Sequence, residues 1–248
     1  MQDIRVSLIT VTYNAQSSME RCIQSVIAQN CKNIEYIIID GASTDDTLKI
    51  INKYQSHINI LISEPDKGMY DALNKGISLA TGEIVGILNA DDYFSTNEIL
   101  TEVASVFSNP LIDILYGNLD FVDPNATIIR RWRTKAYKGG MFDRGWMPAH
   151  PTFYCRRLLF NRWGFYSLEH GTAADYELML RFMHNKNVTA YFLNKVMVKM
   201  QVGGMSNKNP LNRLKAWKND LKAMRKNGIR FPLLTLVIKP LRKLGQYL

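Results

Sequence analysis

The chain of 248 residues is 46% hydrophobic, which suits one large α/β domain, and none of its apolar runs reaches the roughly 20 residues that span a bilayer. Its formal net charge of +9 comes from residues 208–248, where eleven Lys or Arg stand against the single acid Asp220, while the other 207 residues hold 20 basic and 21 acidic side chains. The domain itself is therefore not expected to bind nucleic acid, although a non-enzymatic nucleic-acid-binding protein that uses the basic tail stays open as an alternative.

The first 92 residues alternate strands with helices. Apolar, β-branched runs predict strands at 5–12, 35–40, 58–63 and 84–88, and one-sided apolar patterns predict helices at 17–27, 45–54 and 69–80. Ser17 and Glu20 have the spacing of a capping box at the start of the first helix. This alternation indicates βαβ units, so we expect an α/β fold with a mostly parallel, Rossmann-like central sheet.

The second half is less regular. Strands are predicted at 113–122, 128–133 and 151–155, followed by two edge strands at 188–192 and 196–201. Helices are predicted at 156–163, 175–184 and 212–226, and the last of these is basic and amphipathic. The regular alternation therefore ends near residue 122.

Polar residues follow each of the four strands of the first half. They are Thr12-Tyr13-Asn14, Asp40-Gly41, Ser63-Glu64 and Asn89 to Asp92. In parallel sheets, ligands bind beyond the carboxyl ends of the strands, so four polar ends at one rim predict a binding site there. Any one of them taken alone is explained as well by ending a strand or capping a helix.

Several common nucleotide and catalytic motifs are absent. The sequence has no GxGxxG after the first strand, no GxxxxGK[ST] and no GxSxG, and its four histidines lack a metal-ligand spacing. What remains is an oxygen-rich rim with the carboxylates Asp91 and Asp92 on opposite sides of an extended strand end. One of them is placed to bind Mg²⁺ or Mn²⁺ together with substrate phosphates, and the alternative is that Asp92 caps a helix near Thr96.

Five stretches, in this order along the chain, resemble the family 2 glycosyltransferases with a GT-A fold. The resemblance implies an inverting hexosyltransferase of the bacterial cell-surface polysaccharide type, which uses a nucleotide-diphosphate sugar, most commonly a UDP-sugar. The matching stretches are VSLITVTYN at 6–14, DGASTDDT at 40–47, EPDKGMYDALNKG at 64–76, TGEIVGILNADD at 81–92 and AADYELMLR at 173–181.

The same resemblance assigns donor-binding residues. Asp91 and Asp92 would match the family's metal site for Mn²⁺ or Mg²⁺, and Asn89 stands where many members have the first acid, which predicts a weaker metal affinity. The residues implied to bind the donor are Thr12, Tyr13, Asn14, Asp40, Asp66, Lys67, Asn89 and Asp91.

Asp175 falls at the position of the family's catalytic base, which would take the proton of an acceptor hydroxyl. An Asp there would also stabilise the start of the predicted helix, and both roles can coexist. Arg144 and Trp146, in a glycine-flanked loop, and His150 are candidates for acceptor binding. Packing of the loop, or a structural role for the lone histidine, explains these three residues equally well.

We expect a glycosyltransferase domain at 1–207, with a donor half at 1–122 and an acceptor half at 123–207, and a basic amphipathic extension at 208–248. The extension either lies on an anionic membrane surface, near a lipid-linked acceptor, or packs on the domain. The N-terminus lacks the apolar core of a signal peptide, and the three cysteines, Cys22, Cys31 and Cys155, cannot all pair with one another. A protein of the reducing cytoplasm is therefore expected, peripheral to the inner face of the cell membrane if the extension binds lipid. A sugar-nucleotide nucleotidyltransferase is a second alternative, although residues 12–18 lack the Gly, Lys and Arg of its usual loop.

Overall fold

The computed structural model describes residues 4–186, 188–202 and 210–247. Within them, nine strands form one sheet. The strands are β1 Val6–Thr12, β2 Ile34–Asp40, β3 Ile60–Ser63, β4 Ile84–Ile87, β5 Asp92–Phe94, β6 Ile114–Val122, β7 Ile128–Trp132, β8 Tyr154–Arg156 and β9 Ala190–Gln201. Their order is β3-β2-β1-β4-β8-β6-β9-β5, and β7 pairs with β6.

Helices connect the strands and cover both faces of the sheet. The α-helices in the described residues are α1 Met19–Ile27, α2 Thr47–Lys53, α3 Met69–Leu79, α4 Ile99–Phe107, α5 Leu158–Trp163, α6 Ala174–Met179, α7 Pro210–Lys226 and α8 Pro232–Leu241. Short 3₁₀ turns include Phe142–Arg144, His150–Thr152 and Leu168–Ala173. Two buried apolar clusters, one on each face of the sheet, form the core.

The first four strands are parallel and in register at their carboxyl ends. Thr12 of β1 lies beside Asp40 of β2, and Asp40 lies beside Ser63 of β3. Strand β4 joins the other edge of β1, where Ile9 lies beside Ile87. The predicted α/β fold with a mostly parallel, Rossmann-like sheet is confirmed, and the polar strand ends share one rim.

The region 188–201 differs from the prediction of two edge strands. It forms the single strand β9, which lies between β6 and β5. Two register shifts against β6, next to Asn118, accommodate a bulge in β9, and this bulge interrupts the alternation that suggested two strands. The three-residue strand β5 is too short to show a periodic pattern, so the partner that covers β9 was not predicted.

Two local predictions are wrong for the same kind of reason. The capping box does not form, because α1 begins at Met19 and its Ncap residue, Ser18, makes no side-chain capping bond. The predicted strand at 151–155 begins only at Tyr154, because His150–Thr152 forms a 3₁₀ turn. In both cases the chain enters its element through a tight turn.

The C-terminal helices pack on the domain. Ala223 and Met224 of α7, and Ile229 just after it, are buried in the larger apolar cluster. Pro232 starts α8 at a position where a missing N–H costs no helical hydrogen bond. In the part of the chain that the structure describes, no helix has the length and apolar character needed to cross a membrane.

Candidate active site

The carboxylate of Asp40 is fully buried at the end of β2 and is held by two serines. Its Oδ2 accepts hydrogen bonds from the Ser43 N–H at 3.0 Å and from the Ser63 hydroxyl at 2.7 Å, and its Oδ1 accepts one from the Ser43 hydroxyl at 2.5 Å. These bonds keep the charged group inside the sheet edge and fix its direction.

The end of β1 lies directly beside Asp40. Thr12 is buried and its hydroxyl oxygen has no partner among the described residues, whereas the ring of Tyr13 is 57% exposed. Asn14 has a φ of 50°, in the left-handed region that Asn tolerates, and its Oδ1 accepts a hydrogen bond from the Thr44 N–H at 2.9 Å. The ends of β1 and β2 are thus locked together around an open cleft.

The loop at 64–68 closes the other side of this cleft. A Cβ on Gly41 would lie 2.6 Å from Asp66 Oδ2 and 3.4 Å from the Tyr13 ring, so only glycine lets these groups approach. Asp66 Oδ1 accepts a hydrogen bond from the Gly68 N–H at 2.7 Å, which shapes the loop, and the side chain of Lys67 is exposed.

The acidic run after β4 forms a turn and not the extended strand end that we predicted. The Asp92 N–H donates to the Asn89 carbonyl at 3.0 Å, and Asn89 Nδ2 donates to Asp92 Oδ2 at 3.0 Å. Asp92 is only 1% exposed, whereas Asp91 is partly exposed. The two carboxylates still differ in direction, because the turn places one outside and the other behind it.

Electrostatically, this turn suits a cation. Burial raises the pKa of both carboxyls, and the negative charge of Asp91 raises that of Asp92 further, while Arg21 opposes both shifts. Asn89 Oδ1 and Asp92 Oδ1 are buried without a partner among the described residues. No cluster of three or more His, Cys, Asp or Glu occurs in the described ranges, so a divalent ion at this turn would need ligands from a substrate as well.

Asp175, in the first turn of α6, belongs to a group of aromatic and imidazole side chains. Tyr70 of α3 lies near it, and the Tyr70 and Tyr166 rings lie 5.4 Å apart. His150 Nε2 and the Tyr166 hydroxyl are hydrogen-bonded at 2.8 Å. Because Tyr70 lies two residues after the 64–68 loop, this group connects that loop with the start of α6.

The electrostatics of this group keep its histidine and tyrosines uncharged. Burial lowers the pKa of His150, and the charge of Asp175 offsets only part of that shift. Burial also raises the pKa of Tyr70 well above its usual value, and the Asp175 charge adds to the increase. At neutral pH the histidine and the tyrosines are therefore uncharged, and none of them forms an ion pair with Asp175.

The three predicted acceptor residues lie in different surroundings. Arg144 is exposed, and its carbonyl accepts a hydrogen bond from Arg242 of the C-terminal segment at 3.1 Å. Trp146 is 5% exposed, stacks on Tyr137 with ring centroids 5.5 Å apart and borders a cavity. Only His150 lies in the group around Asp175.

Tyr70, Tyr166 and Arg21 were not predicted to belong to the site. Tyr70 lies inside the matching stretch at 64–76, which was the available signal. No sequence signal indicated Arg21 or Tyr166. An arginine in a helix and a tyrosine next to Phe165 are common features of a sequence, and only the fold places these two residues near the site.

Sequence comparison identifies the family. The description "Glycosyl transferase family 2" matches residues 7–168. A PGL/p-HBAD biosynthesis glycosyltransferase of Mycobacterium bovis is 30% identical over 211 residues, which cover 81% of this chain and 78% of that protein. The Escherichia coli protein WfgD, a UDP-Glc:alpha-D-GlcNAc-diphosphoundecaprenol beta-1,3-glucosyltransferase, is 30% identical over 129 residues, which cover 52% of this chain and 51% of that protein.

Solved structures share the fold. S. aureus TarS 1–349 in complex with UDP-GlcNAc has a TM-score of 0.68 at 18% identity, covering 92% of this chain and 73% of that one. A longer TarS chain is matched over only 39% of its length. The mannosyltransferase PcManGT from Pyrobaculum calidifontis, in complex with GDP-Man and Mn²⁺, also has a TM-score of 0.68 at 18% identity, covering 96% of this chain and 72% of that one.

These comparisons support neither a sugar-nucleotide nucleotidyltransferase nor a nucleic-acid-binding protein. The family description spans well over half of the chain, and the TM-scores show that the fold is shared with TarS and PcManGT. The chain belongs to glycosyl transferase family 2 and is a glycosyltransferase with a Rossmann-like GT-A fold.

Proposed function

We propose that this enzyme moves a sugar from a UDP-sugar to a hydroxyl of a glycan or lipid-linked acceptor in cell-surface polysaccharide biosynthesis, with inversion at the anomeric carbon. UDP is supported by the name of WfgD and by the UDP-GlcNAc bound to TarS, and the WfgD name includes a diphosphoundecaprenol acceptor. The observation that carries the proposal is the position of Asp175, a partly exposed carboxylate near Tyr70, whose ring lies 5.4 Å from that of Tyr166.

The base and ribose of the donor are assigned to the cleft at the ends of β1 and β2. The exposed ring of Tyr13 offers a stacking surface, and the unpartnered hydroxyl of Thr12 offers a hydrogen bond. Asp40 accepts three hydrogen bonds, and a carboxylate has about four acceptor positions, so one remains for a base N–H. Asn14 orders the cleft through Thr44, and Asp66 and Lys67 are assigned to its far side.

Asp91 and Asp92 are assigned as ligands of Mn²⁺ or Mg²⁺, together with the donor phosphates. Asp91 is exposed enough to reach the donor, and Asn89 orients Asp92 behind it. Burial raises the pKa of both carboxyls, and the charge of Asp91 also raises the pKa of Asp92. A cation bound at this turn compensates for both effects, because it stabilises the ionised carboxylates. When bound, it neutralises the charge that develops on the leaving diphosphate.

Asp175 is assigned as the general base. It takes the proton of the acceptor hydroxyl while that oxygen attacks the anomeric carbon from the side opposite the UDP. The new carbon–oxygen bond forms as the bond to the UDP oxygen breaks, so the configuration inverts and UDP leaves with the electron pair. Neutral His150 forms no ion pair with Asp175, which leaves the carboxylate available to accept the proton.

The acceptor is assigned to the second half of the domain, 123–207. His150 lies near Asp175, Arg144 is exposed, and Trp146 borders a cavity. The division into a donor half, an acceptor half and the extension at 208–248 is part of this proposal.

Donor binding is tested by thermal unfolding with a panel of UDP-, GDP- and dTDP-sugars, each with and without Mn²⁺. A UDP-sugar at about 100 times its dissociation constant should stabilise the fold by about 2.7 kcal/mol, which raises the melting temperature of a protein of this size by roughly 5–10 °C. The shift should be larger with Mn²⁺. If no nucleotide sugar changes the melting temperature even with metal, the donor-site assignment fails.

We further propose that the C-terminal segment holds the enzyme on the inner face of the cell membrane. One face of α8 is apolar and exposed: Leu233 is 64%, Leu234 57% and Val237 58% exposed. The opposite side packs on the domain, where the Thr235 hydroxyl donates to the Asp143 carbonyl at 2.6 Å. Basic residues flank this helix, and that combination favours an anionic lipid surface.

The triple variant Leu233→Gln/Leu234→Gln/Val237→Gln should bind vesicles of phosphatidylcholine and phosphatidylglycerol at least tenfold more weakly in a flotation assay, because each side chain loses apolar insertion. Leu111→Gln, which changes a 72% exposed leucine elsewhere, is the control. Deleting 208–248 is a poorer test, since it removes buried Ala223 and Met224 from the core. If the triple variant floats with the vesicles to the same extent as wild type, the membrane proposal is contradicted.

A further inference from the structure

A cavity of about 240 Å³ lies between the residues from β7 to Thr134, the loop at 145–147, and the C-terminal segment at 239–246. Its lining contains five cationic side chains and Trp146. The cations are Arg131, Arg133, Lys239, Arg242 and Lys243. The volume is below the roughly 300–1,000 Å³ of pockets for larger organic ligands, so it suits a compact anionic group.

Two of these five cations have carboxylate partners. Arg133 Nη1 lies 2.6 Å from Asp120 Oδ1, and Lys239 Nζ lies 2.9 Å from Asp220. Among the described residues, Arg131, Arg242 and Lys243 have no carboxylate oxygen within 4.0 Å. The cavity therefore has three cationic side chains that form no ion pair with a described residue, which is more positive charge than one carboxylate ligand would neutralise.

The cavity adjoins the acceptor side of the active site. Lys239 Nζ lies 3.5 Å from the centroid of the Tyr176 ring, and Tyr176 is the neighbour of Asp175 in α6. Loss of solvent and then the positive charges of Lys239 and Arg130 lower the pKa of Lys243, while Asp220 and then Asp175 act in the opposite direction. An anion in the cavity would relieve this crowding of positive charge.

We propose that this cavity binds the diphosphate of the acceptor, so that the sugar attached to it reaches Asp175. The inference rests on the proposed transfer to a lipid-linked acceptor and adds the group that the enzyme recognises. A diphosphate that links a sugar to a lipid has two negative charges, and guanidinium and ammonium groups are its usual partners. Leu241, 56% exposed in the same segment, extends the apolar face of α8 beside the cavity, where a lipid chain would leave it.

The probe is inorganic pyrophosphate, titrated by calorimetry in the presence of EDTA so that no metal links it to the donor site. Wild-type enzyme should bind it, and Arg242→Gln/Lys243→Gln should weaken binding at least tenfold, because charge-assisted hydrogen bonds are lost. The control Lys215→Gln/Lys218→Gln removes two exposed charges of α7 outside the cavity and should bind pyrophosphate like wild type. Both variants should melt within roughly 2 °C of wild type. Equal pyrophosphate binding by all three proteins, or none by wild type, overturns the proposal.

Two further measurements distinguish this inference from the proposed function and from the membrane proposal. UDP binding with Mn²⁺ should be the same in wild type and in Arg242→Gln/Lys243→Gln; if wild type binds pyrophosphate but no UDP, the proposed function fails and the cavity assignment stands. Flotation with phosphatidylglycerol vesicles distinguishes an acceptor diphosphate from a phospholipid headgroup. If the cavity variant loses vesicle binding and keeps its pyrophosphate affinity, the cavity binds the membrane and the proposal is overturned.

Discussion

Asp175→Asn should lower the turnover number by about 10²–10⁴-fold and leave donor binding unchanged, because a positioned general base contributes about that factor. The amide keeps the size and hydrogen-bonding shape of the carboxylate but cannot accept the acceptor proton. Asp175 also lies in the first turn of α6, where a carboxylate interacts favourably with the helix dipole. The variant should lose at most about 1 kcal/mol of stability from that interaction, so a loss of turnover is not a loss of fold.

The control is Glu169→Gln, which removes a charge from a side chain that is 76% exposed in the 3₁₀ turn before α6. It should keep turnover within about twofold of wild type, since exposed ion pairs contribute little. For both variants, the rate of sugar transfer is measured in a single-turnover assay. UDP binding with Mn²⁺ is measured by calorimetry. Wild-type turnover in Asp175→Asn removes it as the base, whereas parallel loss of UDP binding means that it holds the donor instead.

Much of the first half could be predicted from the sequence because its signals are local. Strands β1, β2 and β4 are rich in β-branched residues and are buried almost throughout, as expected for parallel strands covered on both faces. The strand ends were also visible, since Asp40 ends one such run and Asn89 directly follows another. The predicted rim was confirmed by the register of Thr12, Asp40 and Ser63.

The rest depends on contacts between distant parts of the chain. The group around Asp175 joins Tyr70, His150 and Tyr166 from three separate segments, and no spacing in the sequence relates them. The bulge in β9 is set by its partner β6, so the pattern of β9 alone was misleading.

The basic tail shows the same limit. Its composition located the positive charge but could not show that residues 239–246 face β7 across a cavity, with Lys239 against the Tyr176 ring. Composition therefore suggested a membrane surface, whereas the fold adds a compact anion site beside Asp175. Membrane binding and anion binding are both assigned to this segment, and the α8 variant and the cavity variant test them separately.

Asp92→Asn should stabilise the metal-free enzyme and weaken its response to metal. In EDTA at pH 7.5, the wild-type protein holds the carboxyl group of Asp92 only 1% exposed beside Asp91, and both effects raise its pKa and make its ionisation unfavourable. Removing that charge should raise the melting temperature by at least roughly 3 °C, which corresponds to about 1 kcal/mol in a protein of this size. Glu83→Gln, which neutralises an exposed acid, should leave it unchanged.

The pH dependence identifies the cause. The pKa of Asp92 is higher in the folded state than the value of about 3.9 in an unfolded chain, so the folded state binds the proton more tightly. Stability associated with this group is therefore present at low pH and is lost as the pH rises above about 4 through the folded pKa. The melting temperatures of variant and wild type should converge near pH 4.5 and separate toward pH 7.5. A variant that melts below wild type in EDTA at every pH would show that the Asn89 hydrogen bond outweighs the charge.

Mn²⁺ should reverse the order of stability of wild type and Asp92→Asn. With UDP present, added Mn²⁺ stabilises the fold according to its affinity for the folded state, and wild type should gain more than Asp92→Asn because the variant has one ligand fewer. An equal gain in both proteins would leave Asp91 as the only carboxylate on the ion. The unpartnered oxygens of Asn89 and Asp92 are destabilising while no cation is bound, and such sites persist in proteins where function requires them. A charge that destabilises the metal-free enzyme and strengthens its binding of metal and donor is what a donor site at this turn requires.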